Sequence, residues 1–292
     1  MSNLKKFGIV EYISKVMKYN KTILFLVILL FSFPSFSQTH EANELLVVKR
    51  TPEPFLFSVT TLTREDLKWS MDYSASYGER VTGPFGYEGI GQNFALKGYL
   101  GKQFTLYANA ALGFSGKDNV ASMQHAEVLH DFLGGRKNLG LRLGVGVGAT
   151  RDYSNVKSLM TRIALSYDAT SWKAGGNLLL EKAFGNNRDA IDVITSFGFH
   201  YRLRNNFYGG FETVGEDLEG FWDPKEAEGG AKLLVGPSLN MTSKNSKVFF
   251  SVSGGPVFYA TRNELSNTGA IRDLPSQPGM TIRARVVFNL TE

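Results

Sequence analysis

The sequence predicts an all-β fold, an antiparallel up-and-down transmembrane β-barrel of about twelve strands that follows a cleaved N-terminal signal peptide. Apolar and polar residues alternate with a period of two through most of the chain, and the connections between alternating segments are short and long in turn. Successive side chains of a strand point to opposite faces, so this alternation gives each strand an apolar and a polar face. A membrane barrel places the first face against lipid and the second in a wet lumen.

The composition excludes several classes of protein. The chain has 292 residues with 31 glycines, 4 histidines and no cysteine, so disulfides and thiolate metal sites are ruled out. The formal charge of +5 is concentrated at the start, because residues 1–37 hold five lysines and one acidic residue. The rest of the chain is nearly neutral, and the charge therefore gives no indication of a nucleic-acid partner. No metal or cofactor is predicted.

Residues 1–37 are predicted to be an export signal. Lysines precede the apolar run 22–31, and small residues follow it. A membrane-spanning helix is the weaker interpretation, because the run is shorter than the roughly 20 residues that such a helix needs, and Pro34 follows it. The predicted cleavage precedes Gln38, and Met17 is a possible true start because a complete basic region follows it.

Residues 38–65 are polar and hold two prolines, and within them the segment 55–62 is apolar enough to pack. Two interpretations of this segment are open. It forms an additional strand, or it is tucked against the barrel as a plug. The alternation begins after it, so the barrel is assigned to residues 66–292.

The clearest strand is 138–151. Its odd positions are apolar from Leu139 to Ala149, and its even positions are glycines and one arginine. At roughly 3.4 Å per residue the apolar face is about 34 Å long. Tilted by about 45°, it covers the roughly 25 Å apolar band of a membrane barrel. A nucleotide-binding glycine loop would need a turn from strand to helix, whereas here the alternation continues through the glycines.

The remaining strands follow the same rule with different regularity. In chain order, all the predicted strands are 66–77, 90–100, 103–115, 124–133, 138–151, 157–168, 171–183, 191–204, 206–216, 228–241, 246–260 and 280–290. The side chains predicted to face lipid include Trp69, Phe104, Phe114, Leu141, Val145, Phe197 and Phe288. Aromatic residues near both ends of a strand are typical of the girdles of membrane barrels.

The lengths of the connections favour a membrane barrel over a soluble sandwich or barrel. Every second connection is short, as at 101–102 and 169–170, and the others reach the length of 78–89 and 261–278. Membrane barrels have short turns at one end and longer loops at the other. A sandwich with Greek-key connections has no reason to sort its loops in this way.

The polar faces carry many charged residues, which would each cost several kcal/mol in a dry core unless paired. The predicted lumen-lining residues are Lys68, Asp72, Lys97, Arg142, Arg162, Lys173, Glu181, Asp192, His200, Arg202, Glu212, Lys232, Arg283 and Arg285. Basic residues exceed acidic ones in this set, which predicts a mild preference for anions. Arg283 and Arg285 are either part of that lining or braced by ion pairs with Asp72 and its neighbours.

These features resemble the outer-membrane β-barrel proteins of Gram-negative bacteria, of the channel-like kind with about twelve strands, and the export signal resembles those of Bacteroidota. The resemblance implies a passive channel or uptake pore for small solutes in the outer membrane. It also implies contact with outer-membrane lipids and lipopolysaccharide, recognition by the barrel assembly machinery, and a periplasmic position for 38–65. The last strand of this class commonly ends on an aromatic residue, whereas here Thr291 and Glu292 follow Leu290.

Two further classes of function are kept as alternatives. An outer-membrane lipase or deacylase would resemble its class in using a lipid-facing serine and histidine. His130 lies on an apolar face, but no serine is predicted beside it. If 184–189 closes a hairpin, Glu181 and Asp192 lie opposite each other, as a cation site, an acidic protease site or a pair neutralised by nearby bases. A plugged structural or adhesive barrel is the other alternative, decided by what fills the lumen.

Overall fold

The structure of the protein is a computed structural model. It describes residues 55–62, 69–115, 119–134, 139–185, 191–204, 206–221, 231–243, 247–260 and 278–290. The predicted export signal with Met17 and Gln38, most of 38–65, and Lys68 lie outside these ranges. The only helices within the described ranges are two short 3-10 turns. Neither is long or apolar enough to span a membrane.

Twelve strands account for most of the described residues. They are β1 Trp69–Glu79, β2 Gly89–Gly101, β3 Phe104–Ser115, β4 Asn119–Leu133, β5 Gly140–Arg151, β6 Lys157–Asp168, β7 Trp172–Phe184, β8 Asp192–Arg204, β9 Phe207–Glu216, β10 Ala231–Thr242, β11 Val248–Ala260 and β12 Gly279–Asn289. Every predicted strand is present. The largest difference is at β4, which begins at Asn119 and not at residue 124.

The strands form one closed antiparallel barrel in which each strand pairs with its neighbours in sequence and β12 pairs with β1. The predicted up-and-down barrel is therefore confirmed. β1 and β12 pair along almost their whole length, from Ser70 opposite Asn289 to Glu79 opposite Met280. Closing the sheet leaves no unpaired edge, which is a requirement for strands that cross lipid.

The two ends of the barrel differ. The loop end carries the connections 80–88, 217–230 and 261–278, and the turn end carries short turns such as 102–103 and 205–206. The sorting by length is less complete than the sequence predicts, because the extended β4 reduces one loop-end connection to 116–118. At the turn end the connection 134–139 is the longest. The bulge in β4 between Asp131 and Leu133 lies beside this connection.

The outer face is apolar along its whole circumference. Large apolar side chains remain exposed on every strand, including Leu141 at 51% and Phe197 at 43%. Phe104, Phe114 and Phe288 are also exposed, and Trp69 and Val145 are partly exposed on the same face. A soluble monomer does not leave such a continuous apolar surface in water.

The loop-end connection 80–88 turns into the barrel. Val81 and Phe85 are fully buried there and pack against Val214, Leu234 and Val257 on the inner sides of β9, β10 and β11. The 3-10 turn Gly83–Phe85 sits in this connection. The connection therefore narrows the lumen from the loop end.

Candidate functional site

Residues 55–62, called the plug below, lie inside the barrel and form no strand. Seven of the eight side chains are buried, and the eighth, Phe57, is half-buried. Of the two interpretations that the sequence left open, the structure has the second. A barrel of eight strands is filled by its own side chains, whereas larger barrels enclose a lumen that holds water or a plug. In this barrel, residues 55–62 occupy part of that lumen.

Glu212 on β9 holds the first half of the plug. Its carboxylate is fully buried, and Oε2 accepts hydrogen bonds from the backbone N–H groups of Leu56 and Phe57 at 2.8 and 3.0 Å. The other oxygen, Oε1, accepts the hydroxyl of Ser238 at 2.6 Å, and that hydroxyl also lies 2.8 Å from Nε2 of His200. Three donors thus satisfy a carboxylate that has no access to water, as burial of a charge requires.

Asn177 on β7 holds the middle of the plug. Its side-chain oxygen accepts the N–H of Val59 at 2.7 Å, and its amide nitrogen donates to the carbonyl of the same residue at 2.8 Å. Arg162 donates to the same Asn177 oxygen at 2.9 Å and to Glu127 at 2.8 Å. Glu127 in turn lies 3.2 Å from His125. This chain of polar contacts fixes the amide in the orientation that matches a peptide bond.

The last residues of the plug contact the turn-end half of the wall. The N–H of Leu62 donates to the hydroxyl of Thr105 at 2.9 Å, and Arg142 donates to the carbonyl of Thr61 at 2.7 Å. The Thr61 hydroxyl donates to Asp131 at 2.5 Å. Lys97 reaches the hydroxyl of Thr60 at 3.2 Å in the same region.

Arg283 and Arg285 on β12 bind the plug. They donate to plug carbonyls, Arg283 to Leu56 at 3.2 Å and Arg285 to Phe55 at 3.0 Å. The guanidinium of Arg283 also lies over the ring of Phe57, 4.5 Å from its centroid. Among the described residues, no carboxylate is within ion-pair distance of Arg283. The sequence carried no signal for contacts with plug carbonyls.

Two glycines on the inner wall form a recess for Phe55. A Cβ added at Gly198 would come within 2.4 Å of the Phe55 ring, and one added at Gly175 within 3.0 Å. The imidazole of His200 lies against the same ring at 4.7 Å between centroids. A side chain at either glycine would occupy the space that the plug uses, which explains why these inward positions lack one.

A cavity of about 220 Å³ remains between the plug and the inward-turned connection 80–88. Its charged lining consists of Asp72, Arg162, Arg283 and Arg285, and the rest is mainly polar and aromatic. Tyr153 of the loop-end connection 152–156 also lines it, and burial raises the pKa of its phenol. We call this space the lumen chamber.

The other predicted lumen residues lie on the inner sides of their strands. Lys173 and Arg202 surround the ring of Tyr208, at 5.3 and 5.5 Å from its centroid, and Arg202 also donates to the Tyr208 hydroxyl at 3.1 Å. Lys232 forms an ion pair of 2.6 Å with Glu216. These side chains brace the wall at both ends of the barrel.

The predicted pairing of Glu181 with Asp192 is confirmed, because the two are register partners on β7 and β8. Both carboxylates have interaction partners in the structure. No group of three or more His, Asp or Glu side chains with the geometry of a metal site occurs among the described residues. The register alone therefore does not create a cation site.

The balance of charge inside the barrel differs from the one expected. Beyond the lumen residues named above, four acidic residues are buried on the inner sides of β4, β6 and β9: Glu127, Asp131, Asp168 and Glu216. The inward bases on the described strands are Lys97, Arg142, Arg162, Lys173, Arg202, Lys232, Arg283 and Arg285. The inward acids are Asp72, Glu127, Asp131, Asp168, Glu181, Asp192, Glu212 and Glu216. The two sets are equal in number, so the overall excess of bases is absent from the described wall.

His130 points outward, as the sequence predicts. Its ring packs between Phe104 and Phe132, with centroids 4.5 and 4.9 Å away. Its register partners are Phe104 on β3 and Val145 on β5, so no serine stands opposite it. The arrangement is an aromatic cluster on the outer face, without the hydroxyl nucleophile that a serine–histidine enzyme needs.

Comparison with known proteins identifies the fold. No protein-family model matches the sequence, and no curated protein is similar to it. Among solved structures, the chain is similar to "NanC porin" with a TM-score of 0.52 and 10% identity, over 75% of this chain and 100% of that one. It is also similar to "KdgM porin in complex with disordered oligogalacturonate" with a TM-score of 0.50 and 10% identity, over 75% and 98%. The predicted resemblance to channel-like outer-membrane barrels is thus confirmed at the level of the fold.

Proposed function

We propose that the chain is an outer-membrane pore for the passive passage of small solutes in a Gram-negative bacterium. The observation that carries this proposal is the difference in polarity between the outer and the inner face of the closed barrel. The outer face is apolar and exposed on every strand, and the inner face carries charged residues on most strands. Lipid stabilises the first and water the second, which is the arrangement of a solute pore. The porin fold supports the same function.

Small anions are the solutes that the lumen chamber favours. The wall as a whole is balanced in charge, but the chamber is lined by Arg283 and Arg285 against one acid, Asp72, while its third arginine, Arg162, is paired with Glu127. A local excess of positive charge between low-dielectric walls raises the concentration of anions. Galacturonate oligomers, the ligand in one of the similar porin structures, are a suitable first probe because they combine carboxylates with hydroxyl groups.

Planar-bilayer recording of the purified full chain tests this function. In a salt gradient the wild-type protein, or a variant with a released plug, should conduct, with a reversal potential on the anion side. Arg283→Glu with Arg285→Glu should move the reversal potential toward cations, whereas the outward substitution Leu141→Ile should leave it unchanged. Folded protein that never conducts, even in variants with a released plug, would refute the pore.

A plugged structural barrel is the second candidate. The observation that favours it is the density of contacts between plug and wall, which reach β2, β3, β4, β5, β7, β8, β9 and β12. Such a barrel would hold its plug permanently. It would show no conductance in either the wild type or the variants that weaken the plug.

A further inference from the structure

The wall recognises the plug through the backbone more than through the side chains. Glu212 accepts two consecutive N–H groups, those of Leu56 and Phe57, and Asn177 pairs with both the N–H and the carbonyl of Val59. Arg283 and Arg142 donate to further carbonyls. These groups are present in every peptide, whatever its sequence.

The spacing of these contacts requires a peptide without internal backbone hydrogen bonds. The N–H of residue 62 and the carbonyl of residue 55 are both bound, by Thr105 and Arg285, which belong to different sides of the barrel. A peptide in a helix would use these same groups within itself. Only a chain without internal backbone pairing presents them to the wall.

Side chains add two aromatic subsites at one end. Phe55 fills the recess formed by Gly175 and Gly198, and Phe57 lies under the Arg283 guanidinium. Cation–π contact and close packing of a ring both depend on an aromatic side chain. The site therefore combines general recognition of a peptide backbone without internal pairing with preference for aromatic residues at two alternate positions.

We propose that the lumen of the barrel is a binding site for peptides that lack internal backbone pairing and carry this aromatic pattern, and that residues 55–62 are its tethered occupant. The plug is continuous with β1 through residues 63–68, so it competes with any free peptide at a high effective concentration. A free peptide enters when the tethered segment is loosened. This proposal does not depend on conduction, although a pore would be opened and closed by the same exchange.

A binding measurement tests the proposal with the wall left intact. In the full chain, Phe55→Gly with Phe57→Gly removes the aromatic anchors of the plug. A fluorescent synthetic peptide with the sequence of residues 55–62 should bind this variant saturably, as followed by anisotropy in detergent. It should bind the wild type much more weakly, because the native plug occupies the site. Val59→Pro, which removes the N–H that Asn177 accepts, is a second loosened variant in case the first folds poorly.

A matched peptide separates recognition of the backbone from hydrophobic adsorption. N-methylation at the positions of Leu56, Phe57 and Val59 removes three N–H donors and makes the peptide no less apolar. Its affinity should fall about tenfold or more if the contacts with Glu212 and Asn177 matter. Equal binding of the two peptides, or no binding by either loosened variant, would overturn the proposal.

A reversible lock gives the complementary test. The hydroxyl oxygens of Ser58 in the plug and Ser196 in the wall lie 3.0 Å apart, and the chain has no natural cysteine. Ser58→Cys with Ser196→Cys, introduced into the loosened variant and treated with a thiol oxidant, should form a disulfide that excludes the free peptide. Reduction should restore binding, and each single substitution should behave as the loosened parent. Equal peptide binding by the oxidised and the reduced double-cysteine variant would contradict a site inside the lumen.

These results are independent of the pore. Saturable, N–H-dependent binding without conductance would uphold the peptide site and refute the pore. Conductance with no peptide binding would have the opposite meaning.

Discussion

Gly198 and Phe55 illustrate how single residues shape the lumen. An inward strand position normally carries a side chain, but at Gly198 the space of that side chain is taken by the ring of a residue far away in sequence. Gly175 has the same relation to Phe55 with a longer separation. We therefore expect a side chain to be tolerated less well at Gly198 than at Gly175.

We predict that Gly198→Ala loosens the plug more than Gly175→Ala. A Cβ at 2.4 Å from a ring forces it to move, whereas one at 3.0 Å needs only a small shift. Overpacking of this kind costs about 1–3 kcal/mol. The readout is the rate at which a maleimide modifies Ser58→Cys, the only cysteine in such a chain. If both alanine variants react at the rate of the parent, the recess is not what holds Phe55.

A substitution at Val145 tests the assignment of the outer, lipid-facing side of the barrel. It lies on the outward side of β5, with His130 and Ile163 as its register partners, near the middle of the strand. We predict that Val145→Arg destabilises the barrel in vesicles by about 2–4 kcal/mol, because a charge at the membrane midplane is costly. Val145→Leu is the matched control. Urea unfolding followed by tryptophan fluorescence measures the difference, and an Arg variant as stable as the control would contradict the assignment of faces.

At the scale of elements, the connection after β9 contains a carboxyl group, that of Asp217, whose surroundings disfavour its charged form. Asp217 accepts the N–H of Val193 at 3.2 Å. The pKa of Asp217 is raised to about 6, chiefly by burial and also by the nearby carboxylates of Glu216 and Asp192, while the hydrogen bond from Val193 opposes the shift. The ordinary pKa of this carboxyl is 3.8, so between these values the folded protein binds more protons than the unfolded chain.

The direction of the resulting pH dependence follows from this difference. A raised folded-state pKa means that the contribution of Asp217 to stability decreases as the pH rises from about 4 to about 6. We predict that Asp217→Asn, which keeps an acceptor for Val193, is more stable than the wild type at pH 7.5 and equal to it at pH 4. Denaturant midpoints of the two proteins at both pH values measure this. A gap of the same size at both would show that the proton is not involved.

The inward connection 80–88 and the plug pack against each other inside the barrel. Phe57 packs against the cluster that Val81 and Phe85 form with the wall, so the two segments meet inside the barrel. The lumen chamber is the space left between them. Neither segment has the alternation of a strand, and their burial depends on the barrel that surrounds them.

At the scale of the whole molecule, the unequal ends predict orientation. Membrane barrels carry their longer loops outside the cell and their short turns in the periplasm. We predict that a tag inserted in 261–278 is accessible to antibody on intact cells, whereas a tag in 205–206 becomes accessible only after the outer membrane is permeabilised. The reverse pattern would invert the orientation of the barrel in the membrane.

Much of the fold could be predicted from the sequence because the signals for it are local. The number of strands, their faces and the pairing of Glu181 with Asp192 follow from the period-two alternation and the position of the turns. The early start of β4 was missed because its first residues alternate weakly. The roles of most charged residues were not predictable, because alternation shows that a side chain points inward but not what it contacts there.

The sequence by itself determined a closed barrel with an apolar outside and a charged inside. Only the tertiary structure decided that the lumen is occupied and that Glu212, Asn177 and Arg285 hold its occupant. The partners of the plug are 156 residues away at Glu212 and 230 away at Arg285, and in both cases the group that is bound is a backbone N–H or carbonyl. Because every residue but proline offers the same backbone donor and acceptor, no pattern of side chains along the chain records these contacts.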